Sequence, residues 1–185
     1  MVTLTIDNQR VEVQEGTTIL EAARKIGIDI PTLCHHPDLE PRGVCRVCVV
    51  EVNGAKLLQP ACAFPVSEGM TVRTNTARVR EARRMACELL LARHPQDCLE
   101  CIRNQHCELQ ELAERLGIRE VRFERKLRGL PRDESTPAIV RDPDKCILCR
   151  RCVEMCHSVQ AAGVLYPSGR GVDTVVLPAF EKGLS

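Results

Sequence analysis

Residues 31–52 read PTLCHHPDLEPRGVCRVCVVEV, a loop carrying Cys34, Cys45 and Cys48 that passes into an apolar, β-branched run. Thiolates are soft, charged ligands, and several of them a few residues apart hold iron where oxygen ligands do not. Cys62 completes the spacing Cys34-x10-Cys45-x2-Cys48-x13-Cys62. Upstream, Val2, Leu4 and Ile6 alternate with polar residues, Asp7 and Asn8 turn the chain, and Val11 and Val13 alternate again, which predicts a hairpin. Thr18 with Glu21 three residues on is a capping box. Ile19, Ala22, Ala23 and Ile26 share the face of the helix it starts, and Gly27 stands where a C-terminal cap belongs. Downstream, a strand over 47–52, a turn at Asn53 and Gly54, and short strands over 57–61 and 70–73 complete the segment. Gly43 and Gly54 give the backbone the freedom that tight turns need.

Strand, strand, helix, cysteine loop and strands is the order of a β-grasp ferredoxin. The loop quoted above, with LLQPACAFPVSEGMTVRTNT at 57–76, resembles the [2Fe-2S] domain that opens the large iron–sulfur subunit of respiratory complex I, iron-only hydrogenases and related NAD-linked complexes. The first interval is longer than the plant-type C-x4-C-x2-C spacing, so the resemblance is to that branch and not to photosynthetic ferredoxins. It implies one [2Fe-2S] cluster on Cys34, Cys45, Cys48 and Cys62, in a domain over residues 1–75. Zinc also takes four cysteines and tolerates one distant ligand, which keeps a zinc-stapled interaction or nucleic-acid-binding module as the alternative.

A second helix is expected over 76–93, with Val79, Ala82, Ala86, Leu89 and Leu90 as its buried stripe and its arginines facing water. Cys87 lies inside it, away from every ligand run, and reads as a small buried hydrophobe. Pro95 ends the helix and places His94 beside Cys98. HPQDCLECIRNQHC, with the spacing His94-x3-Cys98-x2-Cys101-x5-Cys107, resembles the [4Fe-4S] motif of the same complexes in which one imidazole replaces a thiolate. The resemblance implies a [4Fe-4S] cluster with one histidine and three cysteine ligands, His94, Cys98, Cys101 and Cys107, in a small helical domain over 76–118. Replacing an anionic sulfur by a neutral imidazole raises the potential. Cys107 opens a helix with Leu109, Leu112, Ala113 and Leu116 on one face, closed by Gly117. His35, His36 and His106 adjoin ligands and read as polar neighbours.

Residues 119–185 read as a charged, proline-broken linker with one strand near Ile139, followed by a bacterial-ferredoxin-like [4Fe-4S] module, Cys146-x2-Cys149-x2-Cys152-x3-Cys156. His157 stands where such runs carry proline. In two-cluster ferredoxins the last cysteine of the run serves the other cluster, and no cysteine follows Cys156 to complete a set with Cys146, Cys149 and Cys152. Residues 160–185 resemble the connection between two [4Fe-4S] runs in NAD-linked iron-only hydrogenases. Two readings follow: the chain is the front part of a longer polypeptide, which the ligand arithmetic favours, or Cys156 serves a cluster with an unusual ligand set.

The fold expected is thus α+β: a β-grasp domain, a small helical domain and a ferredoxin-like module. With one Tyr, three Phe and no Trp, aliphatic residues build the cores, and such small domains need staples. A net charge of +1 gives no field to gather nucleic acid. There is no basic and apolar leader and no apolar run near the ~20 residues that span a bilayer, so a reducing cytoplasm is expected, where twelve cysteines mean metal and not disulfides. No G-x-G-x-x-G, Walker loop or Ser-His-Asp set is present, so no substrate-converting site is expected on this chain. The resemblance implies an electron-transfer component between a flavoprotein subunit that oxidises NAD(P)H and a catalytic subunit such as a hydrogenase or formate dehydrogenase, in a hetero-oligomer.

Overall fold

A computed structural model describes residues 1–181 and 183; Lys182, Leu184 and Ser185, at the end of the third segment, lie outside the described residues. Strands β1 (Val2–Ile6) and β2 (Gln9–Val13) pair antiparallel from Val2↔Val13 to Ile6↔Gln9. Asp7 and Asn8 between them take φ of 45° and 68°, the mirror-image turn whose twist suits a two-residue hairpin and which Asp and Asn tolerate. Helix α1 (Ile19–Lys25) starts at the capping box: the Thr18 hydroxyl accepts from Glu21 N, and Glu21 Oε2 accepts from Thr18 N at 2.8 Å. Gly27, at φ 75°, lets the chain leave the helix.

Strands β3 (Val49–Val52), β4 (Gln59–Pro60) and β5 (Thr71–Arg73) complete a five-stranded sheet in the order β2-β1-β5-β3-β4. β5 runs parallel to β1 and antiparallel to β3, so this mixed sheet with its packed helix is α+β. Alternating Val2, Leu4, Ile6, Val11 and Val13 bury one face against Ile19, Leu20, Ala22 and Ala23, and Cys48 and Cys62 belong to the same core. Strand β5 starts one residue later than the apolar run predicts, and β3 and β4 are shortened further. β3 begins at Val49 because Arg46, at φ 56°, turns the cysteine loop just before it. The run over 57–61 narrows to two residues at Pro60, which has no N–H to extend a ladder.

Helix α2 (Ala77–Leu91) is capped by Thr76, whose hydroxyl accepts from Val79 N at 3.2 Å. Its buried stripe differs from the predicted one: Val79, Arg83, Cys87 and Glu88 are inside, Leu89 is 49% exposed, and Ala82, Ala86 and Leu90 are half-buried. The apolar count misplaces the face because the long stem of Arg83 packs like a hydrophobe. Helix α3 (Glu108–Arg115) buries Leu109 and Leu112 and ends at Gly117, φ 63°. A second core unites Leu33 and Val47 from the cysteine loop with Cys87, Leu109 and Leu112, and Ile147 packs on it from the third segment.

The expected strand near Ile139 is absent. Asp133 and Arg141 form an isolated bridge around a turn that holds Pro137, and Ile139 is 55% exposed. This connection is fastened by charge instead. Glu88, fully buried, accepts from Arg84 Nε at 2.9 Å and from Arg122 Nε at 2.6 Å. Burial pushes its carboxyl up, but the bonds from Arg122 and Arg84 outweigh that and hold it below the usual carboxylate range. Beyond it, helix α4 (Arg151–Glu154) runs into a π turn (Met155–Val159), then β6 (Leu165–Ser168) and β7 (Val175–Pro178) form a hairpin that the sequence reading treats as connection. Among the described residues no helix is long and apolar enough to cross a membrane.

Candidate metal centres

The first run converges. Cys48 and Cys62 are 1% exposed, Cys34 and Cys45 are half-buried, and Cys34 bonds to the thiols of Cys45 and Cys62 while Cys48 bonds to Cys62. Bonds from Cys45 and Cys62 drive the Cys34 thiol down to about 2, and the bond from Cys62 brings Cys48 to about 7. Cys45, through its bond to Cys34, and Cys62, through its bonds to Cys34 and Cys48, are pushed up, with burial adding to both. Four sulfurs in one apolar pocket cannot all ionise against one another, and a cationic iron group that accepts all four as thiolates removes that conflict. The residues fit a [2Fe-2S] group on this ground.

In the second run, His94, Cys98 and Cys107 line one cavity of about 640 Å³ beside α3. Cys101 lies in the adjoining turn, its N–H donating to Cys98 O at 3.2 Å. The His94 Nδ1 meets Pro95 O at 2.8 Å, a contact that requires the proton on Nδ1 and leaves the Nε2 lone pair for a metal. His106 is exposed, His36 faces Asp38, and burial pushes the His35 imidazole down.

In the third run, Cys146, Cys149 and Cys152 act on one another electrostatically. Burial pushes the thiols of Cys149 and Cys152 up. Leu148 and Arg150, at φ 55° and 61°, flank Cys149 in the left-handed region, and Leu148 N donates to Cys146 Sγ at 3.4 Å. Arg46 and Gln105 (φ 64°) do the same inside the other two runs. Each such non-glycine residue costs on the order of 1 kcal/mol, which a scaffold tolerates where the turn serves a site. The sulfur of Cys156 accepts from Val164 N at 3.1 Å, the same kind of bond that Cys146 Sγ receives from Leu148 N. His157 bonds Leu165 O at 2.9 Å and meets Tyr166 edge-on at 4.6 Å, so it fastens the β6–β7 hairpin to the helix. Among the described residues no three His, Cys, Asp or Glu side chains stand at the spacing of a single metal ion.

Ion pairs between residues in or near the cysteine runs join them. Lys145 meets Asp97 at 3.2 Å, Arg151 meets Glu108 at 3.0 Å, and Arg42 meets Glu154 at 2.8 Å. Cys45, Cys107 and Ile147, one from or beside each run, pack on the same apolar cluster. Sequence reasoning missed the buried Arg83, which lies within electrostatic reach of Cys48.

Residues 1–77 match the model for a 2Fe-2S iron–sulfur cluster binding domain, 83–122 the NADH-ubiquinone oxidoreductase-G iron–sulfur binding region, and 139–156 a 4Fe-4S binding domain. Fold and motifs thus define an iron–sulfur protein with a 2Fe-2S domain followed by 4Fe-4S domains. The chain is 50% identical over 191 residues to the NADP-reducing hydrogenase subunit HndD of Solidesulfovibrio fructosivorans, covering 100% of this chain and 32% of that one. It is 37% identical over 182 residues to the NADH-ubiquinone oxidoreductase 75 kDa subunit of Reclinomonas americana, covering 98% of this chain and 26% of that one. A crystal structure of an NAD+-reducing [NiFe]-hydrogenase in the H2-reduced state matches with a TM-score of 0.89 and 34% identity, over 96% of this chain and 75% of that one. The chain belongs to the iron–sulfur family shared by the large iron–sulfur subunit of complex I and the NAD(P)-linked hydrogenases. It spans about a third or less of the length of these curated relatives.

Proposed function

We propose that this chain relays single electrons between a flavoprotein subunit that oxidises NAD(P)H and a catalytic subunit, within a hetero-oligomer. Bound iron–sulfur groups supply the one-electron carriers. The residues assigned to them are Cys34, Cys45, Cys48 and Cys62 for one [2Fe-2S], His94, Cys98, Cys101 and Cys107 for a [4Fe-4S], and Cys146, Cys149 and Cys152 for a second [4Fe-4S]. Cys156, whose sulfur accepts from Val164 N, closes the same run and stays with it as a candidate ligand. Segments 1–75, with its β-grasp order, 76–118 and 119–185 each carry one run.

The observation that carries this reading is the shared apolar cluster on which Cys45, Cys107 and Ile147 all pack. A zinc-stapled interaction module needs each staple only within its own segment, whereas a relay needs the sites held close in a fixed, dry frame. Val47, Cys87, Leu109 and Leu112 keep water out of that frame. The names of the relatives, a subunit of an NADP-reducing hydrogenase and a subunit of an NADH-ubiquinone oxidoreductase, support the nucleotide-linked partner.

Metal and sulfide analysis of anaerobically prepared chain tests the reading. About 10 iron atoms per chain, with acid-labile sulfide and signals in electron paramagnetic resonance after dithionite, are expected from three filled sites. A colourless, iron-free chain with stoichiometric zinc would establish the zinc-stapled alternative.

A further inference from the structure

Arg83 is 6% exposed, and its Nε is buried without a hydrogen-bond partner. Its Nη2 donates to Val49 O at 2.9 Å, which brings the guanidinium to the start of β3, one residue past Cys48. No carboxylate lies within ion-pair distance of it among the described residues. Asp29 pairs with Arg115, and Asp7 is bonded to Thr74, so neither is free to answer the buried charge. Burial lowers the guanidinium to about 10, still protonated at neutral pH. Cys48 is the foremost negative group acting on it, ahead of Asp29 and Asp7, while Arg115 opposes it.

A buried cation without a counter-charge costs several kcal/mol, and proteins keep one where an anion of the site answers it. The other arginines of the first three turns of α2 have side-chain partners away from the cysteine loop: Arg78 faces Glu51, Arg80 bonds the neutral amide oxygen of Asn75, and Arg84 bonds Glu88. Only Arg83 is turned to the cysteine loop.

We propose that Arg83 is the charge partner of the first cysteine site, a positioning residue that favours its reduced form and so raises its potential. This rests on the [2Fe-2S] reading of Cys34, Cys45, Cys48 and Cys62. Four thiolates and two bridging sulfides outweigh two ferric ions, so the oxidised group is anionic and reduction adds one more negative charge. A fixed cation in a low-dielectric seam stabilises the more negative state by the larger amount.

Redox titration of the intact, reconstituted chain, followed by electron paramagnetic resonance, tests the proposal. In Arg83→Gln the reduction equilibrium of the [2Fe-2S] signal should fall by about tenfold, ~59 mV for one electron, while the [4Fe-4S] signals keep their midpoints. Arg83→Lys, which keeps the charge, should titrate with the wild type. An unchanged [2Fe-2S] midpoint in Arg83→Gln, or a midpoint in Arg83→Lys lowered by as much as tenfold, overturns the role assigned to the charge. If Arg83→Gln does not fold, the Arg83→Lys midpoint decides by itself. A wild-type chain with no [2Fe-2S] signal overturns the site assignment beneath the proposal, and the two failures are therefore distinct.

Discussion

His94 shows how one residue sets a site's character. With Nδ1 committed to Pro95 O, Nε2 is the atom offered to metal. In the proposed second site, changing His94→Cys would replace a neutral ligand by an anionic one, so redox titration should show the site filled but at a lower midpoint. Cys87 makes the opposite point. Burial pushes its thiol up to about 12, and it sits in the second core. Cys87→Ala should leave the iron content unchanged, and mass spectrometry after iodoacetamide treatment of the native chain should find Cys87 unmodified. The iron–sulfur character of the three segments was legible because closely spaced thiolates declare their chemistry by type. Arg83 was not legible, since helical periodicity assigns every arginine to water and cannot see which stem is buried.

At the scale of elements, α1 illustrates local signals that agree with tertiary structure. Its capping box satisfies N–H groups that the helix leaves open. Thr18→Ala should cost about 1 kcal/mol, read from the urea midpoint of the holo chain. The first hairpin and α1 were legible because turn chemistry, cap and apolar period point the same way. β6 and β7 were not: Pro167, Gly169 and Gly171 interrupt the pattern, and their pairing rests on contacts with α4 through His157. The run near Ile139 failed for the reverse reason, as β-branched residues without a partner strand stay single and exposed.

The whole molecule depends on charges at its seams and hydrocarbon at its centre. Glu88→Ala removes two charge-assisted bonds from arginines that stay half-exposed, with Arg122 still paired to Glu81, and should cost about 2 kcal/mol in urea unfolding. Because its carboxyl titrates below the unfolded value, the stability it contributes is complete above that value and lost as pH falls through the folded one. The wild-type advantage over Glu88→Gln should therefore stay level from pH 8 to pH 6 and decline below about pH 4. The surface pairs Lys145–Asp97 and Arg151–Glu108 contribute less, since water and salt screen exposed pairs.

The aliphatic cluster on which all three cysteine runs lean also fixes what lies between them. Leucine and valine carry almost no permanent dipoles, so little around the sites must reorient when charge arrives or departs. In the proposed relay, the penalty that polar solvent imposes on each hop is then small, whichever way the charge travels.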